Sequence, residues 1–192
     1  MAARVTDAEE NGGAYGPLEV HLVPMRRRHL RSVLKIEAQV YPRPWSLPLF
    51  MSELNLRNSR AYYVARVGGT VVGYAGLMLV GEDAHVTTIA VDPAWHRHKI
   101  GSRLLLNLAR ESAERGAAHL TLEVRVSNSG AQAMHRKFGF HPAGVRKNYY
   151  VETNEDALVM GADDIASLAY AATLNEIEAA IPGRTVIESG RW

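Results

Sequence analysis

The groups best suited to chemistry lie in a predicted strand, turn and helix near the middle of the chain. The β-branched run Val86–Val91 predicts a buried strand. Asp92-Pro93 ends that strand, because proline has no N–H to donate to a neighbouring strand. The basic turn His96–Lys99 then leads through Ile100-Gly101-Ser102 into an amphipathic helix. Since the backbone N–H groups of a helix N-terminus converge on one point, the segment is typical of a phosphate site.

Two side chains further along the chain could move protons. Glu123 lies in His119–Arg125, an alternating segment that predicts a strand with Thr121, Glu123 and Arg125 on one face. His135 follows Asn128 by seven residues, so both can share one face of a predicted helix. Taken alone, these patterns equally allow a solvated glutamate paired with Arg125 or a helix lysine, and an exposed helix histidine. The basic turn likewise allows a plain helix N-terminus with solvated bases.

Length and composition limit the class of protein. With 192 residues and 47% hydrophobic residues, the chain can build one ordinary domain around a core. The absence of cysteine excludes disulfides, thiolate metal sites and cysteine nucleophiles, and it favours the cytoplasm. The eight histidines lack a His-Glu-x-x-His spacing, so we expect no metal. A net charge of +2 offers no extended face for direct nucleic-acid binding, and we expect neither a membrane span nor a secretory signal.

The elements between these features predict an α+β fold. Residues 1–17, rich in alanine, glycine and acids, are expected to form a disordered leader, residues 18–160 a domain, and residues 161–192 a C-terminal helix and tail. The predicted order within the domain is β-α-α-β-β-β-α-β-α-β-β, which implies a mixed sheet with helices on both faces. Gly68-Gly69 marks a hairpin, and Ser46 and Asn128 are predicted helix caps. In the C-terminal helix, the predicted buried side carries Ile165, Leu168, Ala169 and Ala172.

Several short motifs, in this order and spacing, resemble one known family. The central segment and the predicted strand around Glu123 carry part of the resemblance, and the rest comes from four shorter pieces. The motifs are Pro44-Trp45-Ser46, Ile89-Ala90-Val91-Asp92-Pro93, Ile100-Gly101, Leu122-Glu123-Val124-Arg125 with Ser127-Asn128, Phe138-Gly139-Phe140, Arg146-Lys147-Asn148-Tyr149-Tyr150 and Glu155-Asp156-Ala157. Together they resemble the GNAT N-acetyltransferases, and within them the ribosomal-protein-alanine N-acetyltransferases (RimI). The resemblance implies the GNAT fold, with a twisted and mostly antiparallel mixed sheet.

The resemblance also implies a reaction. An acyltransferase of this kind moves the acetyl group of acetyl-CoA to the α-amine of a protein N-terminus, and in that family the acceptor is a small-subunit ribosomal protein beginning with alanine. Two alternatives stay open on the sequence: a GNAT enzyme that acetylates a small amine or a lysine, and a non-catalytic module that binds acetyl-CoA. The sequence leaves the oligomeric state undecided.

The resemblance assigns roles to individual residues. Glu123 becomes the candidate base, and it needs partial desolvation or a water relay because a carboxylate is otherwise a weak base for an ammonium. His135 stands where the family has a tyrosine that protonates departing CoA; Tyr149 or Tyr150 could replace it, or no acid is needed. The candidate acetyl-CoA contacts are Ile89, Ala90, Val91, Arg97, His98, Lys99, Ile100, Gly101, Ser102 and Asn128. The candidate residues that bind the acceptor N-terminus are Tyr41, Trp45 and Tyr150, although each of them could instead pack in the core or in a loop.

The phosphate turn departs from the family pattern. Lysine stands at Lys99, where the family has its first glycine, and His96 and His98 replace residues that are usually longer polar side chains. If position 99 requires a positive φ, Lys99 is strained; if the glycine only allows close approach, the lysine can point outward. The sequence leaves both possibilities open.

Overall fold

The computed structural model describes residues 18–188. The predicted leader, residues 1–17, lies outside the described residues, as does the end of the tail, residues 189–192. The helices are α1 (Leu30–Val40), α2 (Leu47–Asn55), α3 (Ile100–Glu114), α4 (Ser129–Lys137) and α5 (Leu168–Ala179). The strands are β1 (Glu19–Pro24), β2 (Arg60–Val67), β3 (Thr70–Val80), β4 (Asp83–Val91), β5 (His119–Arg125), β6 (His141–Tyr150), β7 (Glu155–Ala162) and β8 (Arg184–Ile187).

The strands form one mixed sheet in the order β6-β7-β5-β4-β3-β2-β1-β8. A first core packs α1 and α2 on one face, and a second core packs α3 and α5 on the other. The predicted α+β class with helices on both faces is confirmed. The predicted caps are also present, because Ser46 Oγ accepts the Leu49 N–H and Asn128 Oδ1 accepts the Ala131 N–H at 3.0 Å. Within residues 18–188, no helix is both long enough and apolar enough to span a membrane.

The sheet opens between β4 and β5. These parallel strands pair only from Asp83–His85 to His119–Thr121, although both continue well beyond that point. Immediately after the last pair, the β3–β4 register shifts and leaves Thr87 as an extra residue in β4. A bulge of this kind bends its strand, so β4 turns away from β5 just where their pairing stops. The result is a wedge-shaped gap in the middle of the sheet.

The C-terminal segment differs from the sequence prediction. The C-terminal helix begins later than predicted, after Ile165 of its predicted buried side, since α5 begins after Ser167, whose side chain accepts the Tyr170 N–H. Its predicted buried side was wrong: Leu168 is 91% exposed, and the buried positions of α5 are Tyr170 and Leu174. An alanine-rich helix has little contrast between its faces, so periodicity could not select the correct one. The tail also adds strand β8, which pairs in parallel with β1 and was not predicted.

A buried arginine joins α3 to this C-terminal segment. Arg103 is 2% exposed, and its guanidinium donates to Thr185 Oγ1 in β8 and to the carbonyl of Pro182. Its Nε has no partner among the described residues, and burial lowers the pKa of the side chain. A buried cation with few acceptors depends strongly on each one that it has.

We predict that Thr185→Val destabilises the protein by about 2 kcal/mol, because a hydrogen bond to a charged group contributes roughly 1.5–3 kcal/mol. Valine keeps the size and strand preference of threonine, so the change isolates the hydroxyl. The free energy of unfolding in urea measures the effect. Thr173→Val is the matched control, since the Thr173 hydroxyl donates only to the carbonyl of Ala169. Equal stability of the two variants would contradict the prediction.

Candidate active site

The gap between β4 and β5 is a cleft of about 230 Å³. Its walls come from the end of α1 and the loop that follows it, from β4, β5 and α4, and from the end of β6 with the turn after it. Six of the predicted site residues line it: Tyr41, Trp45, Ile89, Glu123, His135 and Tyr150. The structure does not bring Ala90, Val91, Asn128 or residues 97–102 into the lining of this cleft.

Glu123 lies on the predicted face of β5 and is held by His85 and Arg146. Its side chain is 9% exposed; Oε2 lies 2.9 Å from His85 Nε2, and Oε1 lies 3.2 Å from Arg146 Nη2. The hydrogen bond from His85 is the main cause that lowers the pKa of Glu123, and Arg146 acts in the same direction. The carboxylate is therefore ionised at neutral pH with both oxygens engaged. Since the carboxylate keeps its charge and its partners, a water relay is favoured over desolvation as the way in which Glu123 could act as a base.

The partners of Glu123 differ from those that the sequence allowed. Arg125 does not bind Glu123; it donates to Glu155 at 3.0 Å and stacks over the ring of Tyr150 at 3.8 Å. The observed partner His85 is also 2.9 Å, through Nδ1, from Thr121 Oγ1. His85 and Arg146 were missed because they come from strands far away in the sequence, and no local spacing connects them to Glu123.

His135 is in the cleft wall but in an unexpected state. The ring is 3% exposed, and neither nitrogen has a partner among the described residues. Burial lowers the pKa of His135 to about 4, so the ring is neutral at neutral pH. This corrects the expectation of an imidazolium acid or of an exposed helix histidine. A neutral ring still has one N–H that can donate a hydrogen bond.

One backbone edge of β4 faces the cleft. The carbonyl of Ile89 accepts a hydrogen bond from the Tyr41 hydroxyl at 2.9 Å, so this carbonyl points away from β3 and toward the gap. The N–H and C=O of one strand residue point to the same side, because antiparallel pairs exchange both groups. The Ile89 N–H therefore faces the same gap. Such an N–H can bind an amide-like ligand or a developing oxyanion.

The basic turn before α3 has the conformation that the sequence left open. Lys99, the N-cap of α3, has φ 60°, and Arg97 has φ 67°, so both adopt the left-handed region that favours glycine. His96 Nε2 is 3.2 Å from the carbonyl of Val91, and His98 Nδ1 is 2.9 Å from that of His96. These two histidine contacts brace the turn in its left-handed conformation.

The same turn leaves backbone amides free for an anion. Inside α3, the first amide to reach a helical carbonyl is that of Arg103, which donates to the carbonyl of Lys99 at 3.0 Å. The preceding amides of Ile100, Gly101 and Ser102 have no helical acceptor. An added Cβ at Gly101 would make only ordinary contacts, at 3.7 Å, with the Met134 and Val91 side chains. The arrangement suits a phosphate group.

The candidate acceptor residues share the cleft with a glutamate that the sequence analysis missed. Glu37 is 1% exposed, and its Oε1 accepts the backbone N–H of Trp45 at 2.8 Å, while Oε2 has no partner among the described residues. Burial raises the pKa of Glu37 to about 7. The available signal was a glutamate in the apolar stripe of α1, between Val33 and Val40.

Comparisons with known proteins decide the family. The sequence profile of the acetyltransferase (GNAT) family matches residues 30–140. This chain belongs to the GNAT acetyltransferases. It is similar to a putative ribosomal protein bS18-alanine N-acetyltransferase of Bacillus subtilis, with 41% identity over 137 residues, covering 71% of this chain and 90% of that protein. It is also similar to the N-alpha-acetyltransferase RimI of Mycobacterium tuberculosis, with 37% identity over 145 residues, covering 72% of this chain and 89% of that protein.

The solved structures agree with the sequence comparisons. The crystal structure of the ribosomal-protein-alanine N-acetyltransferase from Escherichia coli superposes with a TM-score of 0.69 and 32% identity, covering 76% of this chain and 94% of that one. The predicted family, the GNAT fold and the acyltransferase class are thereby confirmed. The roles of individual site residues stay predictions.

We predict that Lys99→Gly is more stable than Lys99→Ala by about 1 kcal/mol. Both changes remove the charge, but only glycine relieves a left-handed strain of roughly 1–2 kcal/mol, which exceeds its entropic cost of roughly 0.5–1 kcal/mol. Urea unfolding measures both variants. In the matched control, at exposed Lys35 inside α1, we expect the opposite order, with alanine more stable than glycine. The same order at both positions would contradict the strain at Lys99.

The raised pKa of Glu37 predicts a pH dependence of stability. An acid whose pKa is higher in the folded protein stabilises below its unfolded value, and that contribution is lost as the pH rises through the folded value. For a rise from 4.5 to about 7, the loss is on the order of 3 kcal/mol between pH 4 and pH 8. Between pH 4 and pH 8, the free energy of unfolding of Glu37→Gln should therefore rise by this amount relative to that of the wild type. Urea unfolding at each pH measures both. Glu176→Gln, at an exposed position in α5, should run parallel to the wild type; a parallel curve for Glu37→Gln would refute the shift.

Proposed function

We propose that this enzyme transfers the acetyl group of acetyl-CoA to the N-terminal α-amine of a protein, and that the acceptor is a ribosomal protein beginning with alanine. The observation that carries the proposal is the opened sheet, in which an ionised Glu123 faces the same cleft as the free edge of β4. The relatives named as ribosomal protein bS18-alanine N-acetyltransferases support the choice of acceptor. A small-subunit ribosomal protein is therefore the proposed partner, and the cytoplasm the proposed location.

The chain has the groups needed to hold acetyl-CoA, which supplies an activated thioester. The amides of Ile100, Gly101 and Ser102 bind the pyrophosphate, and Arg97, His98 and Lys99 surround it with basic side chains. The edge of β4 at Ile89–Val91 pairs with the amides of the pantetheine arm as an added strand would. Asn128 Oδ1 already accepts the Ala131 N–H as the cap of α4, so the side-chain NH₂ of Asn128 is the group that contacts the cofactor.

The Ile89 N–H polarises the thioester carbonyl and stabilises the oxyanion that forms when the amine attacks. Glu123 accepts a proton from the amine through a water molecule, because its own oxygens are held by His85 and Arg146. His135, as a neutral ring, donates a hydrogen bond rather than a proton. Tyr150 keeps its hydroxyl proton, since burial raises its pKa to about 12, and it is the proposed donor to the departing sulfur.

The acceptor N-terminus enters between the loop after α1 and the end of β6. Tyr41, Trp45 and Tyr150 line this entrance and grip the first residue. Two of them also serve the fold, because Tyr41 binds the Ile89 carbonyl and the Trp45 ring packs at 5.3 Å from the Phe50 ring. A cleft of about 230 Å³ favours a small first side chain such as alanine.

Acetylation of peptides that begin with Ala, Ser, Met or Gly tests the function directly. Release of the CoA thiol gives the rate, and mass spectrometry locates the acetyl group. We expect the alanine peptide to react fastest and only at its α-amine. Preferred acetylation of a polyamine or of lysine would support the alternative GNAT enzyme. A rise in Tm with acetyl-CoA but no turnover on any amine would support the non-catalytic module.

We predict that Glu123→Gln lowers kcat by about 10²–10⁴-fold, the usual contribution of a general base, and changes the KM for acetyl-CoA by less than about threefold. Glutamine keeps the size of the side chain and loses the negative charge, so cofactor binding should persist. Steady-state kinetics with the alanine peptide gives both constants. Glu176→Gln serves as the control at a remote position. An unchanged kcat in Glu123→Gln would remove Glu123 from the proton path.

A further inference from the structure

We infer that Glu37 is a second catalytic carboxylate, which binds the α-ammonium of the incoming N-terminus and takes its first proton. This inference rests on the proposed function, because it assigns a partner to the amine that the enzyme acetylates. It assigns a role to a residue at the end of α1, outside the strands that carry the base Glu123.

The geometry of Glu37 leaves one oxygen available. Oε1 is committed to the backbone N–H of Trp45, at 2.8 Å, which fixes the orientation of the carboxyl group. Oε2 is buried and has no partner among the described residues. A buried carboxyl oxygen without a donor is costly, so such an atom normally has a water or a ligand as its partner. Because Glu37 lines the same cleft as Glu123, a ligand in this cleft can be that partner.

The charged and titratable groups around the cleft leave Glu37 as the open acceptor. The loop after α1 contributes Tyr41 and Arg43, β5 contributes Glu123 and Arg125, and α4 contributes His135. The end of β6 contributes Tyr149 and Tyr150, and the turn after it contributes Glu152. Glu123 is held by His85 and Arg146, and Glu152 lies 3.9 Å from Arg125. Among these carboxylates of the described chain, Glu37 alone has no cation within 4 Å. A peptide N-terminus, as a cation with three N–H donors, supplies the missing charge.

Two protons leave the amine nitrogen during the reaction, and the two carboxylates can divide them. The first N–H bond of the ammonium breaks as an O–H bond forms on Glu37 Oε2, and the freed electron pair attacks the thioester carbon. The C–S bond then breaks and its electrons leave on sulfur. The second proton leaves the new amide nitrogen through the water on Glu123. The Tyr150 hydroxyl gives its proton to the sulfur to form the CoA thiol, and the Tyr150 oxygen then takes a proton from solvent. Glu37 returns its proton to solvent when the product departs.

Proton affinity favours this division. An α-ammonium has a pKa of about 8, and the pKa of Glu37 is about 7. Transfer to Glu37 is thus only about tenfold unfavourable. Direct transfer to Glu123 is less favourable, because His85 and Arg146 hold the pKa of that carboxyl below its ordinary value. Glu123, the more acidic carboxyl group, can accept the second proton, because the nitrogen that releases it is then much more acidic than the original ammonium.

Peptide binding to the complex with CoA tests the inference, using an alanine peptide and the same peptide with propionyl in place of its first alanyl group, which lacks only the amine. Isothermal calorimetry at pH 7 should show that Glu37→Gln binds the alanine peptide at least about tenfold more weakly than the wild type. The propionyl peptide should bind both proteins equally. If Glu37 had a purely structural role, the substitution would weaken the binding of both peptides alike. The inference would be overturned if Glu37→Gln bound both peptides with the affinity of the wild type.

The pH profile of kcat/KM for the peptide, at saturating acetyl-CoA, is a second readout, because it reports the pKa of Glu37 before the ammonium binds. The wild type and Glu176→Gln should gain rate as the pH rises through about 7, while Glu37→Gln should be slower by about a hundredfold and lose this rise. Glu123→Gln should be slow but keep it. Persistence of the rise in Glu37→Gln at a normal rate contradicts the inference. If the wild type acetylates none of the N-terminal peptides, the proposed function fails instead.

A measurement on the wild type alone covers the case in which Glu37→Gln does not fold. Calorimetry in buffers of different ionisation enthalpy counts the protons exchanged on binding. At pH 7, with Glu37 about half protonated, the alanine peptide should release about half a proton and the propionyl peptide none. Equal proton counts for the two peptides would reject Glu37 as the acceptor.

Discussion

The whole site depends on the separation of two strands that begin as neighbours. β4 and β5 pair over three residues, and the extra residue Thr87 then bends β4 away. Unpaired strand edges inside a protein are costly, because each buried N–H and C=O requires a partner. The Tyr41 hydroxyl satisfies the Ile89 carbonyl, but no strand of residues 18–188 pairs with the adjacent edge. The proposed function places the amide-containing arm of acetyl-CoA at this edge, where it would pair with the strand as a neighbouring strand does.

The same opening gives similar side chains different protonation states. Glu123 and Glu37 both line the cleft, yet the pKa of the first is lowered by the His85 hydrogen bond and by Arg146, and that of the second is raised by burial. Pairs of titratable groups whose environments move their pKa values apart are typical of acid–base sites. His135 shows the limit of this effect, since burial without a partner suppresses its charge. The fold thus determines which residue can receive a proton, and residue type alone does not.

The sequence predicted most of the elements because their signals are local. The alternation in His119–Arg125 predicted β5 with its correct bounds, and the asparagine at position 128 predicted the start of α4. The motifs also identified the family, since they depend on short spacings. The partners His85 and Arg146, by contrast, meet Glu123 only through the strand order. Strand β8 was not predicted either, because its pairing with β1 joins residues more than 160 positions apart.

The strained turn and the C-terminal strand are parts of one structural unit. A non-glycine residue in the left-handed region persists only where its surroundings fix it, and Lys99 stands directly before α3. The Lys99 carbonyl accepts the Arg103 N–H, and the Arg103 side chain is buried against Pro182 and Thr185. β8 in turn pairs with β1, at the edge of the sheet. The contacts of Arg103 with the segment from Pro182 to β8 therefore hold the first turn of α3 in place. This segment lies outside the family match at residues 30–140. In this chain, the tertiary contacts of the C-terminal segment hold in place a left-handed turn that Lys99, unlike a glycine, does not favour by itself.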